Sequence, residues 1–128
     1  MSALALLLTA KILLSLPLIA TFGFANNSRL NNLTGQWGQD PLIYRLYAVA
    51  LAALVVGYLA ALFVALDLQI PWGMMWVGLV SNAGAFVMIM TWSLNPRVRR
   101  AAWPFGAIAA GLALALLFPD QAAAPLLG

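Results

Sequence analysis

The chain has no cysteine and no histidine, and only 7% of its 128 residues are charged. Each absence removes a class of chemistry. Without cysteine there are no disulfides, thiolate metal sites or thiol nucleophiles. Without histidine there is neither the commonest metal ligand nor the usual physiological-pH switch. Imidazole-ligated haem or chlorophyll and a Ser-His-Asp nucleophile are excluded with it. The acidic residues number three, all aspartates, too few for a carboxylate-rich metal site. The expectation is a protein that is not an enzyme and binds no cofactor or metal. The net charge of +3 is scattered, which argues against a nucleic-acid partner.

What is present is hydrophobic. Apolar residues make up 65% of the chain and the mean hydropathy is +0.99, whereas soluble domains are about half apolar and about a quarter charged. Four apolar runs cover about residues 3–24, 42–66, 71–94 and 101–118, each near the roughly 20 residues that span a bilayer. The expected fold is therefore all-α, one transmembrane domain over residues 1–128 built as a four-helix bundle with short loops. Residues 25–41 read as a polar linker broken by Gly35, Gly38 and Pro41, Asp67–Pro71 as a tight turn, and Asn95–Arg100 as a short basic loop. An Ala/Pro tail follows Pro119. The first run lacks a basic leading region and is interrupted by Lys11, so it reads as a retained helix rather than a signal peptide.

Charge sets the orientation. Arg97, Arg99 and Arg100 cluster between the third and fourth runs, and alternation places Arg29 and Arg45 on the same side. The positive-inside rule then predicts loops 25–41 and 95–100 in the cytoplasm and both termini outside, in a cell inner membrane. Tyr44, Tyr47, Trp92 and Trp103 fall near the proposed inner interface and Trp72 and Trp76 near the outer one, as aromatic belts do. The acceptor patterns at Asn26 and Asn32 would face the cytoplasm and stay unglycosylated. The basic residues Arg97, Arg99 and Arg100 also suit anionic lipid headgroups, at about 1 kcal/mol per charge.

Small residues recur every fourth position: Ala53, Gly57, Ala61 and Ala65 in the second run, and Ala107, Gly111 and Ala115 in the fourth, flanked by Ala102, Gly106 and Ala110. Such rows allow close helix approach, within one bundle or against another copy or a larger membrane complex. Met74, Met75, Met88 and Met90 share the third run, where packing is the simpler role.

Lys11, the sole lysine, lies well inside the first run. One reading lets it snorkel to the outer interface; the other requires partners, because a charge at depth costs about 3 kcal/mol on insertion scales. Tyr58 and Asn82, counted from the outer ends of their helices, fall at a similar depth. Ser15 lies a turn deeper, and Pro17 should bend the helix beside it. Lys11, Ser15, Tyr58 and Asn82 are thus a candidate polar centre for a ligand.

The stretch from Arg45-Leu46-Tyr47 to Gly57-Tyr58, an arginine at the inner boundary, then small apolar residues, then Gly-Tyr, resembles the second helix of small four-helix bacterial inner-membrane proteins of the DoxX-like group. The resemblance implies a membrane component associated with redox or quinone-linked systems and carries no functional residue over to this chain. The leading functional expectation is a non-catalytic structural or accessory subunit packing through its small-residue faces. The alternative is a binder or carrier of a lipid, quinone or similar amphiphile at Lys11, Tyr58 and Asn82. A pore subunit ranks below both, since no acidic ring or relay of ionisable residues is visible.

Overall fold

The computed structural model describes residues 1–38 and 40–127; Gln39, in the expected 25–41 linker, and Gly128, at the end of the expected domain, lie outside them. The helices are α1 (Ala3–Phe24), α2 (Asn27–Thr34), α3 (Pro41–Leu66), α4 (Trp72–Trp92), α5 (Pro96–Ala101), α6 (Trp103–Leu117) and α7 (Pro119–Ala123). Four stretches, α1, α3, α4 and the α5–α6 run Pro96–Leu117, are long and apolar enough to cross a membrane. The protein is an all-α, multi-pass membrane protein.

Helix boundaries follow from local chemistry. Ser2 accepts from the Ala5 amide at 3.2 Å, Asp40 from Leu42 at 2.9 Å and Asn95 from Arg97 at 3.0 Å. These side chains satisfy amides that have no partner in the first helical turn. Pro41 and Pro96 occupy first-turn positions, where no N–H is needed. The α3–α4 turn is a Schellman closure: Gln69 donates to the Val64 carbonyl at 3.2 Å and Leu68 to Ala65 at 3.1 Å. Leu68 takes the left-handed position with φ of 58°, where glycine is usual.

Three segments differ from expectation. The polar linker contains α2, capped by Asn26 on the Arg29 amide and ended by Gly35 at φ of 70°. The basic loop is α5, whose last turn carries Arg99 and Arg100. The tail begins with the short α7.

α1 packs most extensively along α3, and α4 along α6; between these pairs the contacts, chiefly α1 with α6 and α7, are sparser. The buried core joins Leu4, Leu8 and Ile12 of α1, Val55, Tyr58 and Ala65 of α3, Met75 of α4, and Ile108 and Leu112 of α6. All of these lie in the half of the bundle nearer the chain ends. There Ser2 pairs with Pro125, and the Leu126 amide donates to the Met1 carbonyl at 3.1 Å. At the opposite, arginine end, Arg45 donates to the carbonyls of Phe22 (3.0 Å) and Ala25 (2.8 Å). A cation thereby closes the C-terminus of α1.

The small-residue rows do not form single buried faces. Ala61 and Ala65 are buried, Gly57 is half-buried and Ala53 is exposed; likewise Ala115 is buried, Gly111 half-buried and Ala107 exposed, while beside them Ala102 is buried, Gly106 half-buried and Ala110 exposed. Four residues advance a helix about 40° beyond a full turn, so a row of four drifts by about a third of the circumference. The glycines receive side chains rather than a neighbouring backbone. A Cβ would lie 2.8 Å from Met74 Sδ at Gly57, 2.8 Å from the Phe86 ring at Gly106 and 2.9 Å from Leu7 Cδ1 at Gly111.

Candidate ligand site

Lys11 follows the start of α1 by eight residues, about 12 Å of helix. It does not snorkel: the residue is only 5% exposed. Its Nζ lies 5.0 Å from the centroid of the Phe105 ring and 5.9 Å from that of Tyr58. Each ring face offers the ammonium roughly 0.5–2 kcal/mol. Neither ring face supplies a lone pair, and an ammonium carries three donors. The acidic residues stand at helix ends, Asp40 and Asp67 capping α3 and Asp120 in α7. Among the described residues Lys11 therefore has no counter-ion.

Asn82 of α4 is 1% exposed. Its Nδ2 donates to the Gly78 carbonyl at 2.7 Å and to the Tyr58 hydroxyl at 3.2 Å. The Gly78 bond fixes the amide orientation, because a carbonyl oxygen can only accept. Asn82 Oδ1 is left buried with no partner, a loss of about 1–3 kcal/mol. Gly78 makes the approach possible, since a Cβ there would lie 3.0 Å from the Tyr58 hydroxyl and 2.9 Å from Leu112 Cδ1. Tyr58 itself is fully buried.

Lys11 and Asn82 line one cavity of about 260 Å³, walled by Pro17, Pro104, Phe105 and Ile108. Of the four residues expected at a polar centre, Lys11, Tyr58 and Asn82 converge. Ser15 is buried but turns away, its Oγ donating to the Lys11 carbonyl at 2.8 Å. Sequence reasoning missed Phe105 and Gly78, which depend on the rotation of α6 and α4 about their axes. Arg97, Arg99 and Arg100 are exposed at the arginine end. With a buried lysine and a buried asparagine on one apolar cavity, the site can take a polar group.

Compared with protein-family models, curated proteins and solved structures, the chain matches none. The fold and the site describe a multi-pass membrane protein with a buried lysine on an apolar cavity.

Proposed function

We propose that this protein is a non-catalytic membrane protein that binds or carries an amphiphile, whose polar group seats between Lys11 and Asn82. The observation that carries this reading is that Lys11, without a counter-ion among the described residues, and Asn82, whose Oδ1 is buried without a partner, line one cavity. Ligand pockets are mostly apolar with a few convergent polar groups, and an ionisable residue within a membrane is expensive unless it has a use. Arginine placement supports a cytoplasmic arginine end in a cell inner membrane.

Native mass spectrometry of the chain extracted gently from its own membrane, beside Lys11→Leu, tests the reading. A discrete small molecule should accompany the wild type and be absent from the variant. A bare monomer in both samples overturns it. A second reading, an accessory subunit in a larger assembly, is favoured by a shallow groove of about 360 Å³ between α4 and α6 in which Ala107 and Ala110 are exposed. A stoichiometric protein partner in the same spectra, lost when Ala107 and Ala110 are changed to leucine, would support it.

A further inference from the structure

The cavity at Lys11 is not isolated. Leu18, Ala101 and Phe105 line both it and a second cavity of about 680 Å³ that extends toward the arginine end. The second cavity has apolar walls, including Phe22, Met88 and Ile89, and reaches Asn32 and Arg97. From Lys11 to Phe22 the two cavities follow α1 for eleven residues, about 16 Å. On the arginine side of Lys11 buried side chains remain, among them Ala48, Leu51 and Ala102, and the two cavities leave a hollow beside them. The chemistry is graded along that hollow: an unpaired cation and an orphaned carbonyl at the deep end, apolar walls in the middle, an exposed arginine at the mouth.

We infer that the two cavities form one channel holding a single-chain fatty acid or long-chain alcohol, its hydroxyl or acid group at Lys11 and Asn82, its chain passing Phe105 toward Arg97. This rests on the amphiphile-binding reading above and adds the ligand class and its direction. A hydroxyl accepts from the Lys11 ammonium and donates to Asn82 Oδ1, whereas an acid, held ionised by that ammonium, supplies the counter-ion it lacks. An ester carbonyl only accepts, and a quaternary ammonium headgroup would be repelled by Lys11. Phe105 is the specificity-determining residue, because its ring lies 5.0 Å from the Lys11 ammonium and lines both cavities.

The test is photocrosslinking of the full chain in phospholipid vesicles with hexadecanoic acid carrying a mid-chain diazirine, followed by mapping of adducts by mass spectrometry. Adducts are expected on the less exposed wall of the second cavity, at Phe22, Ala85, Ile89 and Val98. They should be competed away by hexadecanol and hexadecanoic acid but not by methyl hexadecanoate. Lys11→Met should abolish them, and Phe105→Trp should remove them from the second cavity, with circular dichroism confirming that both variants retain their helices. Adducts confined to the Lys11 cavity, at Leu14 or Ile108, and lost in Lys11→Met would overturn the channel and leave the Lys11 site standing. Adducts spread over lipid-facing positions such as Val56 and Val80, unchanged in Lys11→Met, would overturn both. Equal competition by the methyl ester would overturn the headgroup assignment.

Discussion

Asn82 spends its amide nitrogen on Gly78 and Tyr58 and leaves its carbonyl oxygen buried without a donor. Asn82→Leu removes two hydrogen bonds and one unmet acceptor but leaves the buried Tyr58 hydroxyl without its partner, a net loss of about 1–3 kcal/mol. Unfolding in detergent should shift by that amount, and an amphiphile that accompanies the wild type should be absent from the variant; its full retention would refute the assigned role of Asn82. Gly78→Ala should cost about 1–3 kcal/mol, because the new methyl meets both Leu112 and Tyr58. Gly84→Ala, with no atom within 4 Å of the added Cβ, should be neutral or gain up to about 1 kcal/mol in the same unfolding assay. The convergence of Lys11, Tyr58 and Asn82 was legible in the sequence because helical rise converts residue count into depth. Phe105 and Gly78 were not, because these helices are apolar on every side and their hydropathy favours no face. Ser15 shares the depth but bonds back to its own helix, which a count of depth cannot register.

At the level of elements, the apolar runs were readable to within a few residues, since length and hydropathy decide what crosses a bilayer. The short helices were not. α2 and α5 are polar or basic, and their signals are the cap residues Asn26, Gly35 and Asn95 with Pro96, which also suit a plain loop. Two ends offer tests. Leu68 completes the Schellman turn after α3 with a side chain in the left-handed region, where a non-glycine residue costs about 1–2 kcal/mol. Leu68→Gly should stabilise the bundle by about 1 kcal/mol in thermal or denaturant unfolding. Arg45→Met should destabilise it by about 2 kcal/mol, as the carbonyls of Phe22 and Ala25 lose charge-assisted donors. Arg45 is thus the closing piece of α1, a role the sequence alone could not separate from the topology signal expected of it.

At the scale of the whole molecule, the proposed orientation has a clean assay because the chain contains no cysteine. In intact bacterial cells a membrane-impermeant maleimide should label Gln121→Cys and leave Ser28→Cys unlabelled until the cells are opened; the reverse pattern would invert the topology. The pairing of helices has a consequence for biogenesis. α1 and α3 find each other across α2 and are translated before α4 and α6, so the first pair is complete while Phe105 and Asn82 do not yet exist. During that interval Lys11 stands in the bilayer with only the Tyr58 ring for company. The second pair supplies the ring over the cation and the remaining walls of the cavity. A chain arrested after α3 would display a naked charge at depth, a mark by which membrane quality control could tell the half-made bundle from the finished one.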